Sequence, residues 1–353
     1  MYVVSQLLQR ALSTSSAEIV TSTCATMARV LGGDFIGMMQ RRMRDETYPR
    51  PAVAGGLPPE DKVLGFIVLI NNLDVASDYI RRIVRGHLDS DDSSASDPNQ
   101  SNGAAQDGGR RATKRSLSSL FPLGKEASTV RNALEGLEIG FTTKARELHS
   151  DGITVLFGQV LKPRVRTLLA DCFKDADYSA GTDARHADSE RDRDRDGHNS
   201  DSYSDHDVLS SPSDPTYAGR GRKSIKIRMQ HGWDLLTRPL KRILTPSSYD
   251  RLLSTTITFV ANMLERRIWA YQGKVGALGA VGLERDVLDV VGVVTRGERF
   301  ALREGFRRCV EIVTVVGMEE EEWRGEAGGV GEGGEEGWVL SRAERERARG
   351  LLS

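Results

Sequence analysis

Asp192, Asp194 and Asp196, followed by Gly197, have the spacing of the first half of a calcium-binding loop. Alternate carboxylates and a glycine at the sharp turn would suit a hard cation. Such a loop also needs a bidentate carboxylate at its twelfth position, where Tyr203 stands, and an apolar residue at its eighth, where Asn199 stands. Arg191, Arg193 and Arg195 alternate with the acids and would repel a cation, so calcium binding is not expected. The histidines His87, His149, His186, His198, His206 and His231 include no i, i+4 pair and no zinc-protease motif. Cys24, Cys172 and Cys309 form neither a C-x-x-C pair nor an even set, which argues against a disulfide framework and a zinc site. No nucleophile elbow, phosphate-binding loop or kinase signature occurs. The acids Glu319–Glu322 lie in a polar stretch with no apolar wall to shift their pKa values. Gly273, Gly276, Gly279 and Gly282 recur every third residue and are expected to form a flexible joint between helices. No catalytic, cofactor-binding or metal-ligating residue is assigned, no cofactor is expected, and the chain is expected not to be an enzyme.

Basic clusters are the other chemistry on offer. Arg41-Arg42-x-Arg44, Arg110-Arg111-x-x-Lys114-Arg115, the run from Arg220 to Arg228, and Arg307-Arg308 could all meet phosphates. Nucleic-acid binding would call for interleaved aromatics or a known module, and neither is present. Near an anionic membrane each such charge contributes about 1 kcal/mol. Taken singly, each cluster reads most simply as the wet face of a helix or part of a linker.

The elements that must position these residues follow helical periodicity. Apolar residues recur at i, i+3/i+4 from Val3 to Leu12, from Ile19 to Leu31 and from Val63 to Val84. The pattern returns over Val130–Leu148 and Ile153–Phe173, with Pro163 expected to kink or reset the latter. The clearest stripe is Ile257, Val260, Leu264, Ile268, Tyr271 and Val275, with Arg266 and Arg267 beside it. Val287–Val294 rivals a strand in its valine content but runs on with helical spacing to Val316, which favours helix. Ser341-x-x-Glu344 is a capping-box spacing that announces a last helix. Residues 89–108, 174–218 and 317–337 have linker composition, the last a Gly/Glu loop. The start of the chain lacks the pattern of a signal peptide, and the most apolar run, Val63–Leu73, is too short to span a bilayer. The expected class is all-α: consecutive antiparallel helical bundles over 1–173 and 225–353, joined by a disordered linker at 174–224.

The formal charge is −1 over 353 residues. The three linker-like segments hold −5, −7 and −7, which leaves +18 on the remainder. A basic helical body with acidic insertions is expected to bind acidic partners or anionic surfaces with a salt dependence.

Several blocks occur in an order that resembles a known family. They are GDFIGMMQRRMRD (33–45), FIVLINNLDVASDYIRRIV (66–84), LKPRVRTLLADCF (161–173), LTPSSYDRLLSTTITFVANMLERRIW (244–269), ALGAVGLERDVLDVVGVVT (277–295) and WVLSRAERERARGLL (338–352). The series looks like the C-terminal half of the fourth subunit of the conserved oligomeric Golgi tethering complex, in a fungal-type version. The most diagnostic pieces are Asn71-Asn72 followed by Ser77–Ile80, the turn from Leu244 to Asp250, and Trp338 through Glu344. The resemblance implies a rod of helical bundles, with the family's N-terminal coiled-coil region expected to be missing. It also implies a non-enzymatic, peripheral subunit on the cytosolic face of the Golgi, acting in vesicle tethering and retrograde transport. The implied partners are the other complex subunits, SNAREs and their regulators, with Rab GTPases and an anionic membrane surface as further candidates and no nucleic acid. Candidate interaction residues are Trp338 and Glu344 at the final helix, with Arg266 and Arg267 opposite. The alternative is a helical module that binds anionic membrane directly.

Overall fold

The structure, a computed structural model, describes residues 2–51, 53, 56–92, 117–179, 224–296, 300–328 and 337–353. The described residues are helical and contain no strand beyond one isolated parallel bridge between Val275 and Leu352. The all-α expectation holds. The chain divides into two compact units: Met1–Leu161 with Leu240–Leu253, and Lys162–Pro239 with Ser254–Ser353.

In the first unit α1 (Tyr2–Ser13) is followed by α2 (Ala17–Arg29), whose N-cap Ser16 accepts a hydrogen bond from the Ile19 amide. The helix then runs through a π-helical segment, Val30–Phe35, into α3 (Ile36–Arg41) and a second one, Arg42–Glu46. The buried residues explain the first widening. Val20, Cys24, Met27 and Leu31 step by three or four, and the next buried residue, Ile36, is five further on. An i→i+5 turn adds the residue that returns Ile36 to the core face, from which Met39 and Met43 continue. The helices α4 (Glu60–Asp92) and α6 (Gly124–Leu156), with the short α5 (Leu117–Leu120) between them in sequence, supply the largest packed pair. Phe66, Ile70, Leu73 and Ile80 on α4 are buried, as are Val130, Leu134, Leu137 and Phe141 on α6. By length and composition α4 could cross a membrane, but its apolar residues are divided between this buried face and an exposed one.

Past α6 a π-helical segment, Phe157–Leu161, leads into α7 (Lys162–Cys172). Pro163 thus follows the widened π-helical turn directly, and the helix runs on through it instead of ending there. The second unit continues with α8 (Ile225–Ile243), α9 (Pro246–Trp269), α10 (Ala277–Val294), a 3-10 turn at Phe300–Phe306, α11 (Arg307–Gly317), α12 (Glu320–Gly328) and α13 (Arg342–Arg349). The end of α8 and the start of α9 belong to the first unit. In the second unit α10 packs on α11, burying Val287, Val290, Val291 and Val294 with Cys309, Ile312, Val313 and Val316.

Several expectations are corrected. The valine run is helical, but the helix does not continue to Val316. It stops where Thr295 Oγ1 bonds back to the Val291 carbonyl at 2.7 Å, and α11 starts only after the 3-10 turn. The expected Gly/Glu loop 317–337 contains α12, whose first-turn Glu320, Glu321 and Glu322 suit the positive end of the helix dipole. The 174–218 stretch opens with a packed strap, since Tyr178 is only 5% exposed. The acidic insertion 89–108 begins with the end of α4, and the rest of it lies outside the described residues. The same is true of the Asp192–Gly197 loop and of His186, His198 and His206.

Candidate functional site

The last helix of the second unit is fixed at three heights. At its approach Glu311 of α11, nearly buried, accepts hydrogen bonds from the Val339 amide (2.8 Å) and the Leu340 amide (2.9 Å), while Arg307 donates to its carboxylate (3.0 Å) and to the Gly337 carbonyl. At its first turn the expected capping box forms: Ser341 Oγ accepts from the Glu344 amide, and Glu344 Oε2 accepts from the Ser341 amide at 2.9 Å. The second carboxylate oxygen of Glu344 accepts from Arg308 of α11 at 2.6 Å. Arg308 also donates to Glu265 of α9 at 3.0 Å, so one guanidinium ties three helices. At the far end Arg349 donates to the Met318 carbonyl (2.5 Å) and pairs with Glu320 of α12 (3.0 Å). The Arg308 guanidinium, with the Ser341 amide, holds the Glu344 carboxyl down at about 2, below the usual carboxylate range. Its hydrogen bonds to both carboxylates push the Arg308 pKa further up.

The four candidate residues fall into two places. Trp338 is half-buried beneath Arg345, whose guanidinium carbon lies 5.4 Å from the ring centre. It lines a cleft of about 700 Å³ together with Arg303, Glu304, Arg307 and Glu311. Arg266 and Arg267 line a separate groove of about 280 Å³ floored by Leu169, Phe173 and Leu264. Arg267 caps the end of α7 there, donating to the Phe173 carbonyl at 2.9 Å and stacking on its ring, while Arg266 is exposed. The residues brought to Glu344 are therefore Arg308 and Glu265, not Arg266 and Arg267. Sequence reasoning counted Arg307-Arg308 as a basic cluster and left Glu265 unmentioned. The available signal was that Glu265 and Arg308 both border buried positions, Leu264 and Cys309.

A second polar cluster lies in the first unit and joins two of the blocks quoted above. Asn71 Nδ2 donates to the Ile243 carbonyl (2.6 Å), its Oδ1 accepts from the Thr245 amide (3.0 Å), and Thr245 Oγ1 bonds Asp74 (2.6 Å). His149 Nε2 lies 2.7 Å from Ser248 Oγ, which also contacts Thr245 Oγ1 at 2.7 Å. Burial pushes the His149 pKa down, helped by the Arg251 charge and opposed by Asp74. A Ser–His pair with a nearby aspartate suggests nucleophilic catalysis, but the arrangement is not that of a triad. Asp74 bonds Thr245 and Ser247, Arg251 faces His149 Nδ1, and Ser248 has no exposed surface to offer a substrate. The cluster's evident work is to fasten the α8–α9 turn within its own unit. Among the described residues no group of three metal-ligating side chains could hold an ion.

The family model described as conserved oligomeric Golgi complex subunit 4, C-terminal, matches residues 66–347. The chain belongs to the conserved oligomeric Golgi complex subunit 4 family. A second model, described as COG4 transport protein, middle alpha-helical bundle, matches residues 1–43. The conserved oligomeric Golgi complex subunit 4 of Saccharomyces cerevisiae is 24% identical over 301 residues, covering 83% of this chain and 30% of its own length. That of Arabidopsis thaliana is 22% identical over 320 residues, covering 90% and 35%. The chain thus spans about a third of the length of these curated subunit 4 relatives. The subunit 4 match takes in the Asn71–Thr245 contact, the Glu265–Arg308–Glu344 bridge and the capping box.

Proposed function

We propose that this chain acts as a non-enzymatic part of a Golgi vesicle-tethering complex, working through protein contacts made by helix faces. The family match over residues 66–347 carries this reading. The proposal places it at the cytosolic face of Golgi membranes, in retrograde transport between cisternae and in Golgi organisation, with other complex subunits, SNAREs and SNARE regulators as partners and Rab GTPases as further candidates. Trp338 in its cleft and the exposed Arg266 are the proposed contact residues, while Glu344 and Arg267 hold those surfaces in place. The +18 balance outside the acidic segments gives a second reading some support, in which basic helix faces bind anionic membrane directly.

Co-purification of the tagged chain with the other complex subunits at physiological salt, without flotation on anionic liposomes, is the expected result. Flotation that falls as salt rises, with no co-purifying subunits, would replace the tethering reading with the membrane one.

A further inference from the structure

Beside the contact of Asn71 with the α8–α9 turn, α4 carries an outward stripe that the described residues leave largely uncovered. Leu64, Val68 and Val75 are 43%, 55% and 58% exposed, with Tyr79 half-buried on the same side. Asp61 and Arg82, both exposed, close the stripe at its two ends. At about 100° per residue these six positions fall within roughly 60° of arc. Asp61, Val68, Val75 and Arg82 repeat every seven residues, the seam spacing of a coiled coil. Read backwards, the stripe complements itself: Asp61 faces Arg82, Leu64 faces Tyr79, and Val68 faces Val75, about a centre between Asn71 and Asn72.

We propose that this face joins two copies of the chain through an antiparallel, two-fold symmetric α4–α4 contact. In such an interface each copy presents the same patch, so a self-complementary order is what the symmetry requires. Both ends then carry an Asp61–Arg82 pair, whereas a parallel alignment would set acid on acid and base on base. Charge therefore selects the orientation. Arg81 and Arg85 each lie 3.8 Å from Glu138 inside the unit, while Arg82 is exposed at the end of the stripe. An anionic bilayer fits less well, because Glu60 and Asp61 at one end would be repelled. The contact runs about 32 Å along the helix at about 1.5 Å per residue. A single helix pair is small beside the area of a stable dimer, so association in the micromolar range is expected.

Sedimentation of the whole 353-residue chain from about 1 to 100 μM is the test, with salt as a variable. A monomer–dimer equilibrium weakened by salt is expected. Asp61→Arg and Arg82→Asp should each weaken it about tenfold or more with unchanged helicity, since both positions are exposed. The double variant should recover it, and an equimolar mixture of the two single variants should form heterodimers. A wild-type chain that stays monomeric, single variants that associate as the wild type does, or a double variant that fails to recover would each overturn the proposal. Binding of monomers to anionic vesicles through this face, with no dimer, would also overturn it.

Discussion

Gly279, in the first turn of α10, is the most informative position to perturb. A methyl group there would land on the Tyr178 carbonyl oxygen, with the carbonyl carbon 2.7 Å and the Cα 3.1 Å away. These are backbone atoms and cannot rotate aside, so Gly279→Ala must lift the 174–179 strap off α10. Lifting it exposes a Tyr178 side chain that is 5% exposed and meets the Tyr271 ring edge-on at 5.1 Å. It also breaks two hydrogen bonds of 2.9 Å, from the Tyr178 hydroxyl to Asp286 and from the Gly276 amide to the Tyr178 carbonyl. Burial of a large side chain contributes about 1.5–3 kcal/mol and each hydrogen bond about 1 kcal/mol. Alanine returns about 1 kcal/mol of helix propensity, leaving a net loss of about 2.5–4 kcal/mol. Trp233, Trp269, Trp323 and Trp338 are the chain's 4 tryptophans and all lie in the second unit, so their fluorescence in urea follows that unit alone. With a slope of about 2 kcal/mol/M the midpoint should fall by about 1.2–2 M. Gly292→Ala is the control, on the same helix, exposed, with nothing near the added carbon, and should gain about 0.5–1 kcal/mol. If Gly279→Ala proved as stable as that control, the strap would not be docked and the reasoning would fail.

The Glu344 carboxyl lies at about 2 in the fold against about 4.5 in the open chain. Its contribution is therefore complete above about 4.5 and is lost as pH falls toward 2. With the group 35% exposed, solvent screening keeps this to about 1 kcal/mol or less, and Glu344→Gln should remove that part of the acid slope in urea titrations between those pH values. Burial pushes the Cys24 and Cys172 thiols up to about 11 and Cys309 to about 12, so a thiol reagent at pH 8 should label none of them until urea unfolds the chain. Leu264 is 1% exposed, and Leu264→Asp should cost several kcal/mol and abolish the cooperative tryptophan transition. Deleting 180–215 should leave the ellipticity at 222 nm per helical residue and the melting temperature nearly unchanged; a large loss of either would show that these residues support the core.

The helices were legible because their stripes repeat at the helical period, and the buried Ile257, Val260, Leu264 and Ile268 lie where that period puts them. The final capping box was legible too, because its partners are three residues apart and need nothing from elsewhere. What escaped depends on distant residues. The spaced glycines 276, 279 and 282 read as a loose joint; only Gly273, at φ 63°, has joint geometry, and the other three approach Tyr178. Tyr178 itself was hidden in polar sequence, where a single anchoring ring leaves no periodic trace. His149 looked solitary because Ser248 is 99 residues away, and Arg308 looked like surface charge because Glu265 and Glu344 come from other helices.

The return of residues 240–253 to the first unit orders events in time as well as in space. Asn71 and Thr245 are 174 positions apart, so a ribosome must have made the α8–α9 turn before that contact can close. Until then the emerging helices α4 and α6 display Asp74 and His149 with their partners still unmade, and any helper that shields a nascent chain meets them in that state. The second unit, begun at Lys162, must wait longer, since α13 follows the α8–α9 turn in the sequence. A bundle of mostly neighbouring helices would fold quickly on its own; this interleaving makes its completion a problem of long loop closure.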